Sequence, residues 1–318
     1  MMTFRELFNE WLWDEYQLNV RKKAVYLVSS VYEKHIDVVF GNLEISTISR
    51  KMLVTYLTLL DMNKNPYTNV DYSASTIKKI KFIFSKCFKY AYIKRYIDQL
   101  PYENIKSKTR IKGNTAQALS LSDQYKLEKY ILKHYTKEPY FFGIVLVLYT
   151  GLRISELCSL TWDDIILKES TIQVNKALAK DYDFVNQKFT VVEDRTKTAT
   201  SNRKIIIPDY IIPYLTKLKK KRKSNYFIED KMGKRIDLKQ YRDLFNKIVE
   251  EIKITHINFH GLRHTYATRA IESGMDVKTL SELMGHSSPS ITQSTYIHVS
   301  KKRVMEEMER CNIPIFEI

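Results

Sequence analysis

Between Asn104 and Ala118 the apolar periodicity that marks the rest of the chain stops, and Lys106, Lys108, Arg110 and Lys112 alternate through a polar stretch containing Gly113-Asn114. A solvated basic segment cannot sit inside one continuous core, so it divides the chain into two folding units joined by a linker. The boundaries read as 1–103 for the first domain, 104–118 for the linker and 119–318 for the second domain with its carboxyl-terminal tail. At 318 residues and 44% hydrophobic content, each part is long enough to close its own core.

The first domain reads as four helices: Phe4 to Tyr16, Lys23 to Ile36, a third from near Thr47 to about Met62, and a fourth capped near Ser75. In the fourth, Ile77, Ile80, Phe84, Phe88 and Ala91 recur at helical spacing, while Lys78, Lys79, Lys81, Lys86 and Lys89 crowd the remaining surface. Such a stripe fits a solvated bundle helix and equally a face laid against DNA, with Lys78 and Lys79 as candidate contacts.

The second domain opens near Leu119 with Ser122 as a cap, and the apolar run Phe141 to Leu148 reads as a buried helix stopped by Thr150-Gly151. A helical run follows from Ile154 to Leu160. Strand-like composition is confined to Thr171–Val174, Phe189–Glu193 and Lys204–Ile207, and the remainder is helical. The expected fold is therefore mainly α with a small antiparallel β-sheet in the second domain. Lys217 to Lys223 is almost wholly basic, which suits a solvated helix face or phosphate contact.

A formal net charge of +16 points to a polyanionic partner, because each phosphate neutralised by Lys or Arg releases counterions. Charge alone fits DNA, RNA or an acidic membrane surface. No apolar run is long enough to cross a bilayer, and Met1-Met-Thr-Phe-Arg-Glu6 enters an amphipathic helix without a secretory pattern, so a cytoplasmic protein without membrane partners is expected. Cys87, Cys158 and Cys311 are scattered and read as reduced packing residues.

The residues that carry chemistry stand in the second domain: Arg153 in Thr150-Gly-Leu-Arg-Ile-Ser-Glu156, His260-Gly-Leu-Arg263, Gly285-His286 and Tyr296. A phosphoryl transition state gathers negative charge on its non-bridging oxygens, and planar arginine forks donate paired hydrogen bonds to such oxygens better than lysine does. Arg153 and Arg263 would form that clamp. His260 lies three residues before Arg263, on the same face if the stretch is helical, where it can assist proton transfer. His286 would hydrogen-bond a phosphate oxygen from another element. Tyr296 is the candidate nucleophile, needing a cationic pocket and a nearby base to attack near neutrality. Lys197, between two strand-like runs, is the candidate general acid for the leaving 5′ oxygen; Lys176 and Lys204 compete with it for that role.

Other readings of these residues exist. Taken alone, Arg153 would be a salt-bridge residue with Glu156 one turn away. His260 and His264 are spaced like zinc ligands, with His286 as a third, but Arg263 between them would repel the metal; no metal site is expected, and His264 reads as a packing residue. Gly285 has the position of a left-handed helix stop, and Ser288-Pro289 looks like the cap of a short helix presenting Tyr296 near its end.

In order along the chain, Thr150-Gly-Leu-Arg-Ile-Ser-Glu-Leu157, Lys197 before Ser201-Asn-Arg-Lys-Ile205, His260-Gly-Leu-Arg-His-Thr265, Leu283-Met-Gly-His-Ser287 and Ser294-Thr-Tyr-Ile-His298 resemble the tyrosine recombinases, the family of phage-type integrases and Xer-type resolvases. The resemblance implies a two-domain DNA clamp with a helical core-binding domain and a catalytic domain. It implies that Arg153, Lys197, His260, Arg263 and His286 activate a scissile phosphate while Tyr296 bonds to it. It also implies double-stranded recombination sites as substrate, a homotetramer on DNA passing through a Holliday junction, and no cofactor. An accessory DNA-bending or excisionase protein would be a further partner. The apolar end with Ile313, Ile315 and Phe316 would fold back on its own domain or dock on a neighbouring subunit. Integration of a mobile element is the role expected first, with Xer-type resolution or DNA inversion as alternatives; a type IB topoisomerase and an idle DNA-binding homologue are more distant. Many integrases carry a further amino-terminal domain for arm-type sites; this sequence enters its first helical bundle almost at once, as expected either of a simple recombinase or of a chain from which such a domain was removed.

Overall fold

The computed structural model describes residues 2–62, 71–102, 118–183, 186, 188–195 and 202–285. Its first helix, α1 (Phe4–Trp11), starts at a reciprocal cap: the Thr3 hydroxyl accepts the Glu6 N–H, and the Glu6 carboxylate accepts the Thr3 N–H at 2.8 Å. The helix buries Phe4, Leu7, Phe8 and Trp11 and runs on through a wider π turn, Leu12–Tyr16, to Asn19. A second helix, α2 (Lys22–Val31), likewise continues through a π turn, Tyr32–Asp37, to Phe40. Helices α3 (Arg50–Met62) and α4 (Ala74–Ile93) complete this part.

The cap of α4 is Ser73, whose hydroxyl accepts the Thr76 N–H at 3.1 Å, and not the expected Ser75. Starting there places Ile77, Ile80, Ile83, Phe84, Cys87, Phe88 and Ala91 on the buried face. The core is aromatic. Phe8 stacks on Tyr32 with centroids 3.6 Å apart, and Phe4 packs against Phe84 and Phe88 at 5.5 and 5.3 Å. Arg5 forks onto Asp37 at 2.8 and 2.9 Å, and the Tyr32 hydroxyl donates to the same carboxylate, pinning the start of α1 to the end of α2.

In the second part, α5 (Leu121–His134) is capped by Ser120, whose hydroxyl accepts the Asp123 N–H at 3.0 Å. Ser122, the expected cap, lies inside the first turn. Helix α6 (Phe142–Thr150) is the predicted apolar run, and only Tyr149 escapes full burial. Helix α7 (Ile154–Leu157) is shorter than expected, because the backbone then leaves the helix to pair with residues 225–227: the Leu160 carbonyl accepts the Phe227 N–H at 3.0 Å and the Trp162 N–H donates to the Asn225 carbonyl at 2.8 Å.

Five short strands follow: β1 (Ile165–Ile166), β2 (Thr171–Val174), β3 (Lys176–Asp183), β4 (Lys188–Arg195) and β5 (Arg203–Ile206). Strand β2 lies between β1 and β5, antiparallel to both, with Ile172 opposite Ile165 and Ile205 on the buried face. Strands β3 and β4 form a separate two-stranded hairpin. Sequence reasoning missed β1, which is only two residues long, and β3, whose Lys176-Ala-Leu-Ala-Lys180 opening has no β-branched residue and favours helix. Helices α8 (Ile212–Lys221), α9 (Leu238–Glu251), α10 (Phe259–Glu272) and α11 (Val277–Met284) complete the described chain, and α10 packs on α6.

The chain forms two compact units, Met1–Asn114 with Lys180–Val191, and Thr115–Ala179 with Val192–Ile318. A linear division of the sequence has no place for the hairpin excursion. Within the first unit its anchor is aromatic: Tyr182 stacks on Tyr26 at 4.0 Å between centroids, with the Phe189 ring edge-on to Tyr26 at 4.9 Å. Among the described residues, no helix is long and apolar enough to cross a membrane, and no group of three or more His, Cys, Asp and Glu side chains is placed to hold a metal. Cys87 and Cys158 are buried free thiols; Cys311 lies outside the described residues.

Gly151 ends α6 in the left-handed conformation, with φ of 64°, and a Cβ there would lie 2.5 Å from the Tyr266 ring of α10. Gly151→Ala should therefore cost about 2 to 4 kcal/mol from backbone strain and overpacking together. Thermal unfolding would show this as a melting temperature lowered by on the order of 10 °C, against no change if the turn tolerates a side chain.

Candidate active site

Gly151 turns the chain so that Arg153 precedes the first turn of α7 in an extended conformation, with φ of −74° and ψ of 149°. From there its backbone N–H donates to Glu156 Oε2 at 2.9 Å and its Nη1 to Glu156 Oε1 at 2.7 Å. The salt bridge expected of an isolated Arg153 is thus present, but it is one part of a larger cluster. Arg203, at the start of β5, donates Nη1 and Nη2 to the same two carboxylate oxygens at 3.0 and 2.9 Å.

Glu156 is only 3% exposed. Burial by itself would raise its carboxyl, but the hydrogen bonds and charge of Arg203, with the charge of Arg153, outweigh it and pull the pKa down to about 2. A depressed folded-state pKa contributes stability above the ordinary carboxylate range, here about 3 kcal/mol, which is lost as pH falls through 4.5 toward 2.

Helix α10 supplies the second half of the site. Asn258 caps it, its side chain accepting the Gly261 N–H at 3.1 Å, so His260, Arg263 and His264 fall in its first two turns. The helical spacing expected of His260 and Arg263 is therefore present. Arg263 is 1% exposed and donates Nη1 to the Gly151 carbonyl and Nη2 to the Met284 carbonyl, both at 2.6 Å. His260 is the exposed imidazole of the pair. Desolvation, then the charges of Arg263 and Arg153, lower its pKa, so it is neutral at pH 7 and able to accept a proton. His264 is buried, edge-on to His260 with centroids 4.8 Å apart, and is pushed down to about 4 by burial and by His260 and Arg263. That agrees with its reading as a packing residue.

Three guanidiniums converge on the end of α11. Gly285 stops that helix at φ of 62°, as expected, leaving its last carbonyls without helical partners. Arg203 Nε donates to Leu283 O at 2.7 Å, Arg263 Nη2 to Met284 O at 2.6 Å and Arg153 Nη2 to Gly285 O at 2.8 Å. Cations at a helix carboxyl terminus also meet the negative end of its dipole. The arrangement brings Arg153, His260 and Arg263 together and fixes the backbone up to the residue before His286.

His286, Tyr296 and Lys197 lie outside the described residues, as do Lys106, Lys108, Arg110 and Lys112. Of the two lysines competing with Lys197, Lys176 is held by Asp164 at 2.9 Å and Thr161 at 3.3 Å in a largely buried pair, and Lys204 pairs with Glu169 at 3.3 Å on the surface. On α4, Lys78 is exposed and Lys79 half-buried. Sequence reasoning gave Arg203 no role. Its place at the opening of the strand Arg203-Lys-Ile-Ile206, beside a second cation, carries no signal that sets it apart from a surface arginine.

The model of the phage integrase family matches residues 118–303, more than half of the chain. The chain belongs to the phage integrase family of tyrosine recombinases. A phage integrase N-terminal SAM-like domain matches residues 3–60. Among relatives of this recombinase, a tyrosine recombinase XerC-like protein of Caldanaerobacter subterraneus subsp. tengcongensis is 26% identical over 98% of this chain and 83% of the relative. A tyrosine recombinase XerC of Thermodesulfovibrio yellowstonii is 29% identical over 75% of this chain and 76% of the relative. The Tn1549 transposon integrase, solved in complex with transposon right end DNA, matches with a TM-score of 0.81 at 22% identity, covering 98% of this chain and 99% of that one. A lambda integrase tetramer bound to a Holliday junction matches with a TM-score of 0.64 at 17% identity, over 91% of this chain and 79% of that one. These two likenesses establish the fold of the recombinase: mainly helical, with small antiparallel sheets.

Proposed function

We propose that the chain is a site-specific DNA recombinase that cuts one strand per protomer through Tyr296 and rejoins strands between two duplexes. The Tyr296 phenol attacks the scissile phosphorus, a 3′-phosphotyrosyl ester forms, and the 5′ oxygen leaves as a hydroxyl. Arg153 and Arg263 stabilise the charge on the non-bridging oxygens, His260 assists proton transfer, His286 hydrogen-bonds a phosphate oxygen and Lys197 protonates the leaving oxygen. The ester keeps the energy of the broken bond, so religation needs neither ATP nor metal.

The observation that carries this reading is the docking of the Arg153 and Arg263 forks on the consecutive carbonyls of Met284 and Gly285, beside neutral His260. Each guanidinium is aimed before any substrate arrives, which is what electrostatic preorganisation requires. The family span 118–303 also contains Lys197, His286 and Tyr296.

Residues 1–103 act as the core-binding domain, 104–118 as the linker and 119–318 as the catalytic domain, closing on duplex DNA as a clamp. Lys78, Lys79, Lys106, Lys108, Arg110 and Lys112 contact its phosphates. The working assembly is a homotetramer in the cytoplasm, assisted by a DNA-bending or excisionase protein. Integration of a mobile element is the first role, favoured by the Thr161-Trp-Asp-Asp164 and Tyr296-Ile-His298 contexts. Xer-type resolution is the second, favoured by the relatives named tyrosine recombinase XerC.

The test uses the full chain with nicked duplexes cut from the DNA flanking its gene, in EDTA and without ATP. A covalent protein–DNA complex that survives SDS on one such sequence is expected. Binding without any adduct would contradict the reading, and relaxation of an arbitrary supercoiled plasmid would favour a type IB topoisomerase.

A further inference from the structure

Arg203 takes no part in the reaction described above, yet its guanidinium engages three acceptors beside it. Nη1 and Nη2 hold the two oxygens of Glu156 at 3.0 and 2.9 Å, and Nε holds the Leu283 carbonyl at 2.7 Å. The side chain is 7% exposed. Each Glu156 oxygen serves both arginines: Oε1 accepts from Arg153 Nη1 and Arg203 Nη1, and Oε2 from the Arg153 N–H and Arg203 Nη2. Two cations therefore share one carboxylate. Without Arg203, Glu156 would be the undivided counterion of Arg153, free to turn with its fork and to neutralise the charge a phosphate must meet.

We infer that Arg203 is a positioning residue for cleavage: it claims the Glu156 carboxylate, so that Arg153 keeps its aim and its charge, and it ties the end of α11 to the same carboxylate. The role rests on the reading of Arg153 as a phosphate-binding arginine. The cluster also contributes to stability through the lowered Glu156 pKa, so the positioning role is read from the cleavage rate of folded variants. Strand β5 thereby joins the site from 47 residues beyond Glu156 in the sequence.

Single-turnover cleavage of the nicked duplexes, with DNA affinity measured separately by mobility shift, tests this role. Arg203→Ala should cleave roughly 100-fold more slowly while binding within about threefold of wild type, and millimolar guanidinium should restore part of the rate. Because Arg203 acts through Arg153, the double variant Arg153→Ala/Arg203→Ala should be no slower than Arg153→Ala alone. If Arg203→Ala does not fold, Arg203→Lys keeps the charge but loses the fork, and should still cleave at least about tenfold more slowly at a temperature where circular dichroism shows it folded. A wild-type rate in a folded variant, losses that multiply in the double variant, or a loss confined to DNA binding would overturn the role. An absence of adduct with the wild-type chain would instead overturn the underlying reading, and this role with it.

Discussion

Tyr296→Phe should bind its DNA site as tightly as the wild-type chain and form no covalent complex with it. The substitution removes one hydroxyl and leaves the ring, so contacts that hold the duplex lose little. The reaction loses its nucleophile. No other described hydroxyl beside Arg153, His260 and Arg263 is assigned that task, and water attack would release a strand end instead of conserving the ester. A drop of at least about 10,000-fold in adduct formation is expected, the scale seen when the attacking group of a covalent mechanism is deleted. Mobility shift and SDS-stable complex formation, measured on one nicked duplex, separate the two effects. An adduct surviving at more than background would move the nucleophile to another residue.

Arg263→Lys should lose both activity and stability, although it preserves charge. The guanidinium donates to the Gly151 and Met284 carbonyls at 2.6 Å each, from a position 1% exposed. A lysine ammonium is a point donor that cannot span both acceptors in that plane. One buried carbonyl is left without its partner, at about 1 to 3 kcal/mol, and the Gly151 turn and the end of α11 are no longer tied together. Cleavage should fall by a further 100- to 1,000-fold, corresponding to roughly 3 to 4 kcal/mol for one pre-aimed donor. Thermal melting and single-turnover cleavage read these losses independently. A stable, fully active Arg263→Lys would mean that the paired geometry is not what the site uses.

The parts of this molecule that were legible in the sequence are those governed by local periodicity. The four amino-terminal helices, the buried run Phe141 to Leu148, the helical spacing of His260 and Arg263, and the left-handed stop at Gly285 all depend on residues within a turn or two of one another. The caps slipped by two residues, to Ser73 and Ser120, because neighbouring serines offer equivalent hydroxyls and only packing of the apolar face chooses between them. Strand β3 was illegible for the opposite reason: its alanines and lysines favour helix, and its pairing with β4 overrides them. The Glu156 cluster could be half seen. Arg153 lies three residues away, whereas Arg203 reaches the carboxylate only once β5 is folded against it, and no pattern in one sequence reports a pair at that separation.

The position of the covalent bond tests the central claim most directly. The trapped protein–DNA complex would be digested with protease and nuclease, and the nucleotide-bearing peptide sequenced by mass spectrometry. The account predicts a nucleotide joined through its 3′ phosphate to Tyr296, with a 5′ hydroxyl on the released strand. A nucleotide on any other residue, or a 5′-phosphate linkage to the protein, would contradict it.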